Sequence, residues 1–304
     1  MIRAAQSLKS SVLELGGNDP AIVCEDADVE NCTSGVLWGG FNNCGQNCNS
    51  IERVYIEQPI SDRFIEMLIK KVKKLRVGNG NTEDIDLGPV ATEMQLLKMA
   101  SVVESAVERG GELLCGGRMM DARSGYFFEP TVIRWKNSLN RIQDEEIFGP
   151  LIHVIPVSDI QQAVQLANES SFGLSASVWT RNMKKGQSIA RRIESGSVMI
   201  NDSVISFGIA EASWTGVKKS GIGWTHGQKG MDEMVNLKYV CMDTQFRLQK
   251  FWWFPYSKRM SIAIRKAMSF LFSRKIVKRL AAIPLTLKNF TGYLLKNRHR
   301  NDKW

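Results

Sequence analysis

The stretch between Pro150 and Asn201 constrains the fold most, because apolar strand patterns and amphipathic helix patterns alternate there with short connections. Two strands joined through a helix normally lie parallel in one sheet, with the helix covering a face of that sheet. The pattern therefore predicts an α/β fold built on a parallel βαβ sheet. The expected elements are a strand at Leu151–Val157, a helix at Asp159–Asn168, a strand at Ser175–Trp179, a helix at Met183–Glu194 and a strand at Ser197–Ile200.

The chain before Pro150 shows further elements of the same kind. Val12–Leu15 is predicted to be a short buried strand that ends at a Gly-Gly turn. After Asn201 the alternation stops, and glycine-rich loops are expected as far as Gly230, followed by a strand-like segment at Leu237–Cys241. Other expected elements are helices at Asp28–Trp38, Ser61–Leu75 and Glu93–Arg109 and strands at Arg53–Ile56 and Thr131–Ile133.

The positive charge of the chain is concentrated at its C-terminal end. Residues 244–304 contain fifteen Lys or Arg and one acid, Asp302, so this extension carries a net charge of +14. The whole chain carries +9. Residues 1–243 hold 25 basic and 30 acidic side chains and carry −5. With 43% hydrophobic and 23% charged residues, the chain has globular composition, which excludes a mainly disordered or fibrous protein. We therefore interpret the body and the basic extension separately.

The six cysteines sit at irregular spacings, and the one tight pair, Cys44 and Cys48, has no second pair or nearby histidines. A metal site is therefore not predicted, and a chain this large needs no disulfide framework. The N-terminal residues contain no uninterrupted apolar segment of the kind found in signal peptides. No apolar run reaches the roughly 18 residues of a membrane-spanning helix. These features predict a cytoplasmic protein.

Two segments hold candidate reactive side chains. Cys48 ends the segment Phe41–Cys48, directly after a Gly-Gln turn and before a strand, where a thiol can face a cleft as a nucleophile. The alternative is a buried structural thiol. Glu14 lies within the apolar segment Leu13–Gly17, where poor solvation raises the pKa of a carboxyl kept for proton transfer. The alternatives for Glu14 are an ion pair or simple exposure at a sheet edge.

These segments resemble the aldehyde dehydrogenase superfamily. Phe41–Cys48 matches the cysteine signature F-x-N-x-G-Q-x-C, and Leu13–Gly17 matches the glutamate signature L-E-L-G-G. A third motif, E-x-F-G-P, is present at Glu146–Pro150. The resemblance continues through 172–178, 196–201 and 216–223, and it covers residues 1 to about 243.

The resemblance implies a reaction in which Cys48 attacks an aldehyde carbonyl to form a thiohemiacetal. Hydride passes to NAD or NADP, and a thioester remains on Cys48. Glu14 then acts as the general base that activates water, and the thioester is hydrolysed to a carboxylic acid. The backbone amide of Cys48 is expected to hold part of the oxyanion.

The resemblance also implies cofactor and substrate contacts. Glu146 is expected to bind the nicotinamide ribose, Phe148 to pack beside the nicotinamide, and Leu15 to meet its amide through the backbone. Trp214, which replaces a common phenylalanine, is expected in the substrate pocket. A solvated acid for Glu146 and plain core positions for Phe148, Leu15 and Trp214 are the alternatives.

Two departures from the family pattern stand out. Asn18 occupies the position of the lysine that usually follows L-E-L-G-G. The N-terminal cofactor-binding half of the family is absent, which predicts a C-terminal catalytic portion with impaired NAD binding and turnover in isolation. The expected organisation is an aldehyde dehydrogenase-like catalytic domain over 1–205, with the glutamate motif in 1–17. A C-terminal oligomerisation arm over 206–243 and a basic helical tail over 244–304 follow, and the resemblance implies a homo-oligomer.

The basic tail begins with the aromatic cluster Phe251–Tyr256 and continues with cations interleaved among apolar residues. This composition predicts contact of residues 245–304 with an anionic membrane surface, and therefore a membrane-peripheral protein. Helical segregation is broken by Lys275, which projects onto the side of Ile264 and Met268. A solvated appendage or a subunit-packing extension is the alternative. Nucleic-acid binding is not expected, because no recognition motif accompanies the charge.

Two alternatives to an aldehyde dehydrogenase catalytic portion remain at this stage. One is a non-catalytic relic that keeps the fold and associates with other subunits or a membrane. The other is a cysteine hydrolase or acyltransferase that uses Cys48 without a nicotinamide. Glu146 and Phe148 favour the dehydrogenase over the hydrolase, because a hydrolase has no use for a ribose site.

Overall fold

The computed structural model describes residues 1–81, 83–120, 125–136, 144–244, 253–254, 258–272, 274 and 277. The chain divides into two compact units, Met1–Leu237 and Lys238–Trp304. The described helices are α1 Ile2–Gln6, α2 Val29–Phe41, α3 Gln58–Val72, α4 Glu93–Glu108, α5 Ile160–Asn168, α6 Met183–Ala190, α7 Gly227–Glu233 and α8 Lys258–Phe272. The described strands are β1 Leu13–Glu14, β2 Asp19–Val23, β3 Ile51–Glu57, β4 Glu112–Cys115, β5 Thr131–Arg134, β6 Leu151–Val157, β7 Phe172–Gly173, β8 Ser175–Trp179, β9 Ser197–Ile200, β10 Val217–Lys218 and β11 Gly221–Ile222.

A seven-stranded sheet forms the centre of the first unit, in the order β4-β5-β6-β3-β2-β8-β9. Every neighbouring pair is parallel except β4 and β5, which are antiparallel. The three strands predicted between Pro150 and Asn201 occur at the expected residues as β6, β8 and β9. The predicted α/β fold with a parallel βαβ sheet is confirmed.

Helices cover both faces of this sheet, because its strands carry apolar residues on both sides. On one face, Val54 packs with residues of α2 and α3, including Phe64. On the other face, Tyr55 packs with residues of α4, α5 and α6, including Met99. Successive residues of β3 thus enter opposite cores, as the two-residue period of a strand requires.

Side-chain caps fix where four of the helices begin. Each cap residue accepts a hydrogen bond from a backbone N–H in the first turn, which satisfies a donor that the helix leaves unpaired. The caps are Asp28 for α2, Thr92 for α4, Asp159 for α5 and Asn182 for α6. The helix α6 ends at Ala190, earlier than the predicted end at Glu194.

Two small antiparallel sheets join the segment after Asn201 to earlier parts of the chain. The strand β1 pairs with β11, so Glu14 lies opposite Gly221, and β7 pairs with β10. The prediction that Val12–Leu15 forms a buried strand is wrong, because Glu14 and Leu15 are exposed. This strand has one partner, β11, and lies outside the central sheet.

The strand predicted at Leu237–Cys241 is not formed with any described residue of this chain. Leu237 and Tyr239 are 88% and 89% exposed, so no described residue covers these two side chains. The basic tail is helical at α8, whereas Lys275 and residues 278–304 lie outside the described residues. Within the described part of the chain, no helix has the length and apolar character needed to cross a bilayer.

The candidate reactive residues converge because of the sheet order. Gly17 lies two residues before β2, Cys48 precedes β3, and Gly149 precedes β6. These three strands are adjacent and parallel, so the loops before them meet at the end of the sheet where the strands begin. We call this end the amino edge, and the opposite end, where these strands finish, the carboxyl edge.

Candidate active site

The loop that carries Cys48 turns sharply before β3. Asn43, Cys44 and Gly45 have positive φ angles of 50°, 59° and 69°, which places three successive residues in the left-handed region. A side chain at Gly45 would collide with the carbonyl of Gly149, so only glycine permits this approach between the two loops. The loop geometry therefore brings the Cys48 segment against the E-x-F-G-P segment.

Hydrogen bonds from Gln46 hold this loop in place. Its backbone carbonyl accepts from Asn43 Nδ2 at 3.0 Å, and its Nε2 donates to the Asn43 carbonyl at 3.2 Å. Its Oε1 accepts from the backbone N–H of Ala91 at 2.7 Å. Both signature residues thus support the conformation that presents Cys48.

Cys48 and Glu14 are in contact at the amino edge. The half-buried Cys48 thiol is hydrogen-bonded to the Glu14 carboxylate, with the thiol as the donor. A side chain at Gly17 would collide with the Cys48 carbonyl, so the glutamate loop needs a glycine at this position. Burial of the thiol, reinforced by the Glu14 charge and hydrogen bond, raises the pKa of Cys48 to about 12. In this structure Cys48 is therefore a neutral thiol beside a proton acceptor.

Trp214 holds Glu14 in place through a hydrogen bond. Its side chain is 1% exposed, and its indole Nε1 donates to Glu14 Oε1 at 3.3 Å. The Trp214 backbone exchanges two hydrogen bonds of 2.8 Å with Thr225. Its ring packs edge-on against Phe207, with 5.5 Å between ring centroids. Trp214, which was predicted in the substrate pocket, thus lies beside Glu14, and the half-exposed Phe207 packs against it.

Glu146 lies against the glutamate loop. Its Oε1 accepts from the backbone N–H of Gly17 at 3.1 Å, and a side chain at Gly16 would collide with its carboxylate. Burial raises the pKa of Glu146, although the Gly17 hydrogen bond and the Lys98 charge oppose this rise. The carboxylate therefore lies beside the base loop at the amino edge.

Phe148 follows in the same loop with a positive φ of 56° and a half-buried side chain. Gln95 Nε2 donates to the carbonyls of Ile147 and Phe148, both at 2.8 Å, and so fixes this turn. Leu15, next to the base, is 47% exposed and donates its N–H to the Ser220 carbonyl at 3.0 Å. Its backbone amide is already bonded within the chain.

Sequence reasoning missed Glu52, which ties the two loops together. This side chain is 2% exposed, and its Oε1 accepts from the backbone N–H groups of Ile147 at 2.8 Å and Phe148 at 2.9 Å. Its Oε2 accepts from Asn18 Nδ2 at 2.7 Å, and that amide also donates to the Glu145 carbonyl at 2.9 Å. Burial raises the pKa of Glu52 to about 8. The signal available in the sequence was a carboxylate between Ile51 and Val54, within an apolar strand, where it needs hydrogen-bond donors.

Asn18 therefore replaces the family lysine with a neutral side chain that joins both loops. Beneath it, Arg53 donates through Nε and one terminal nitrogen to the Asn18 carbonyl, at 2.9 and 2.6 Å. Asp19 is hydrogen-bonded to the backbone and the hydroxyl of Ser175, and burial raises its pKa to about 7. The floor of the site is thus a set of buried and largely satisfied polar groups.

The site contains no cluster suited to a metal. Among the residues that the structure describes, no three or more His, Cys, Asp or Glu side chains are grouped so that they could hold an ion. All six cysteines are free thiols.

Comparison with known proteins agrees with this geometry. The family model described as "Aldehyde dehydrogenase family" matches residues 1–240. The chain belongs to the aldehyde dehydrogenase family. The betaine aldehyde dehydrogenase of Bacillus subtilis is 35% identical over 248 residues, which cover 81% of this chain and 50% of that protein. A Mycobacterium tuberculosis protein named succinate-semialdehyde dehydrogenase [NADP(+)] 1 is 36% identical over 237 residues, covering 78% and 51%.

Solved structures of family members have the same fold. A betaine aldehyde dehydrogenase of Staphylococcus aureus matches with a TM-score of 0.77 and 36% identity, covering 84% of this chain and 51% of that one. A structure of that enzyme in complex with NAD+ matches with a TM-score of 0.73 and 38% identity, covering 77% and 46%. The present chain thus spans about half the length of the curated relatives it matches. The predicted family and fold are both confirmed.

Proposed function

We propose that this chain takes part in the oxidation of an aldehyde to a carboxylic acid, with NAD or NADP as the hydride acceptor. The observation that carries this proposal is the hydrogen-bonded contact between Cys48 and Glu14 at the amino edge. Membership of the aldehyde dehydrogenase family and relatives named for aldehyde substrates support it.

In the first step, the Cys48 sulfur forms a bond to the aldehyde carbon while the carbonyl π bond breaks. Glu14 is placed to take the thiol proton, because it already accepts the hydrogen bond from that thiol. The electron pair moves to the carbonyl oxygen, and the backbone N–H of Cys48 would stabilise the charge that develops there. The product of this step is a thiohemiacetal on Cys48.

In the last step, a water oxygen attacks the Cys48 thioester, and the carbon–sulfur bond breaks. Glu14 would take the water proton as the general base. Because Glu14 is exposed, it can release the proton from the first step to solvent before the second begins. The Trp214 indole N–H would hold the carboxylate in place during both steps.

Several observations support a nicotinamide site beside Cys48. The Glu146 carboxylate occupies the space that a side chain at Gly16 would fill, so an acidic group lies directly against the glutamate loop. Glu146 would bind ribose hydroxyls, Phe148 would pack beside the nicotinamide, and Leu15 would border it. When bound, NAD or NADP supplies the acceptor for the hydride from the thiohemiacetal carbon.

Trp214 and Phe207 are proposed to border the aldehyde. Trp214 donates a hydrogen bond to Glu14, its ring packs edge-on against Phe207, and the Phe207 ring is 48% exposed. An aromatic wall of this kind presents apolar surface to a bound aldehyde chain. Relatives are named for betaine aldehyde and for succinate semialdehyde, so the aldehyde group is what their substrates share.

The experiment that tests the function measures reduced nicotinamide formed from betaine aldehyde or succinate semialdehyde with NAD or NADP. Cys48→Ala should abolish this turnover, whereas Cys241→Ala, which removes an exposed thiol, should leave it unchanged. Since nicotinamide turnover by this chain alone is expected to be impaired, ester hydrolysis is measured as well and should likewise depend on Cys48. Turnover that survives in Cys48→Ala would contradict the proposal.

The homo-oligomer, the arm over residues 206–243 and the cytoplasmic location stay predictions. Light scattering after size-exclusion chromatography tests the first of these directly. A monomer at micromolar concentration would contradict it.

A further inference from the structure

The helix α8 (Lys258–Phe272) separates apolar from basic side chains. Successive helical residues turn by about 100°, so Ile264, Met268 and Leu271 form one stripe along the helix. These three side chains are 39%, 52% and 57% exposed. The fifteen residues of the helix contain no Asp or Glu. The helix therefore presents an apolar stripe, although Ile262, 42% exposed, lies among its cations.

The cations of α8 lie away from this apolar stripe. Lys258, Arg265 and Lys266 cluster on another side of the helix, and Lys258 and Arg265 are exposed. Trp253 and Phe254, just before the helix, are 54% and 75% exposed. An interfacial helix has this arrangement, with large apolar side chains on one side and Lys or Arg on the other.

We propose that α8 binds an anionic lipid bilayer and lies in the headgroup region, parallel to the surface. Ile264, Met268 and Leu271 would enter the boundary of the acyl chains. Lys258, Arg265 and Lys266 would face the lipid phosphates. The basic helix thus attaches the protein peripherally, without a membrane-spanning segment in the described residues.

Charge complementarity selects this partner. Residues 244–304 carry +14, whereas residues 1–243 carry −5, so attraction to an anionic surface is confined to the extension. A nucleic acid would also attract the cations, but phosphate contact alone makes no use of an exposed stripe of Ile, Met and Leu. A bilayer uses both features, because apolar burial and charge attraction add in interfacial binding.

The test is co-sedimentation of the full 304-residue chain with vesicles of phosphatidylcholine and phosphatidylserine, compared with vesicles of phosphatidylcholine alone. We expect binding to the mixed vesicles that weakens at high salt. The double variant R265Q/K266Q should lower the partition coefficient by about 30-fold, since each cation near an anionic surface contributes about fivefold. I264Q/M268Q, which keeps good helix formers, should lower it at least as much.

The matched control is K184Q/R191Q, which removes two exposed cations from the first unit and should bind like the unaltered chain. Circular dichroism and thermal unfolding confirm that all variants are folded. Equal sedimentation with both vesicle types would overturn the proposal. Unaltered binding of I264Q/M268Q would overturn it as well. If an RNA duplex displaces the vesicles and its binding depends only on the cations, the surface would be reassigned to nucleic acid. None of these measurements uses catalytic activity, so the result is independent of the proposed function.

Discussion

The two edges of the central sheet both gather ionisable side chains, but the pKa values of their carboxyl groups shift in opposite directions. At the amino edge, burial raises the pKa of Asp19 to about 7 and of Glu52 to about 8. At the carboxyl edge, burial of Asp26 is outweighed by its hydrogen bonds from Thr180 and by the Lys185 charge, so its pKa is lowered. The difference lies in what each carboxylate contacts.

Cations pair with acids at the carboxyl edge. Lys185 Nζ lies 3.4 Å from Glu57 Oε2 and 3.8 Å from Asp26 Oδ1, and Arg181 lies 3.2 Å from Asp28. At the amino edge, Glu52 is held instead by backbone N–H groups and an amide. Ion pairs keep acids ionised, whereas burial with neutral donors allows a proton to bind near neutral pH. The amino edge is therefore suited to proton transfer and the carboxyl edge to structural support.

The largest expected effect is on Glu14. Glu14→Gln should lower Cys48-dependent ester hydrolysis by about 100-fold or more, because it removes the general base for breakdown of the acyl intermediate. Steady-state hydrolysis of a nitrophenyl ester provides the measurement. Glu25→Gln, an equally exposed acid at the carboxyl edge, serves as the control and should be neutral. Equal loss in both variants would show that the two edges do not differ.

Glu52 tests whether buried hydrogen bonds at the amino edge hold the loop that contains Ile147 and Phe148. Glu52→Ala leaves the N–H groups of Ile147 and Phe148 and the Asn18 amide without their acceptor, which should lower the free energy of unfolding by about 3 kcal/mol. Glu52→Gln, which keeps one acceptor oxygen, should recover part of this loss. Urea unfolding measures both variants. An Ala variant as stable as the original would contradict the role assigned to these hydrogen bonds.

The raised pKa values predict how stability depends on pH. Between the ordinary carboxyl range and about pH 7 to 8, the folded protein keeps protons on Asp19 and Glu52 that the unfolded chain has lost. The free energy of unfolding therefore falls as pH rises through this window, by about 1 kcal/mol per pH unit for each group. Glu52→Gln removes one of these two titrating groups, so the free energy of unfolding should fall less steeply with pH. Thermal unfolding from pH 5 to pH 8 measures this slope. An identical slope would place the Glu52 pKa outside the window.

The smallest effect is expected at the carboxyl edge. Asp26→Asn should cost about 1 kcal/mol of stability, because the partly exposed pair with Lys185 is screened by solvent. Its contribution has the opposite pH dependence, since a lowered pKa means that stability is lost as pH falls. Ester hydrolysis should be unchanged. A hundredfold loss of hydrolysis in this variant would break the distinction between the edges.

Local sequence was sufficient for much of the fold. The strands β6 and β8 were predicted at their exact residues because their apolar runs are bounded by clear turn and cap residues. The loops before the parallel strands could likewise be read from Gly17 and from Gly149, where close approach excludes a side chain. The strand bounds depend on neighbours in the chain, whereas Gly17 and Gly149 closely approach distant residues, Cys48 and Met99.

Long-range contacts set what sequence reasoning did not predict. Glu14 was expected in a buried strand, but its strand pairs with residues near Gly221 and its carboxylate meets Trp214. The role of Glu52 depends on Ile147 and Phe148, which are almost a hundred residues away. No local pattern encodes such partners, because the free energy of these contacts arises only after the sheet has formed.

The most direct test of the Cys48–Glu14 contact is the rate of Cys48 alkylation by iodoacetamide as a function of pH, followed by peptide mass spectrometry. The unaltered chain should show a rate that keeps rising with pH as far as the protein stays folded, because the thiol pKa lies at about 12. Glu14→Gln should shift this profile to lower pH and alkylate faster at neutral pH, since the Glu14 charge and hydrogen bond both favour the thiol. Asp26→Asn should superimpose on the unaltered profile. A Glu14→Gln profile that also superimposes would contradict the contact on which the proposed chemistry rests.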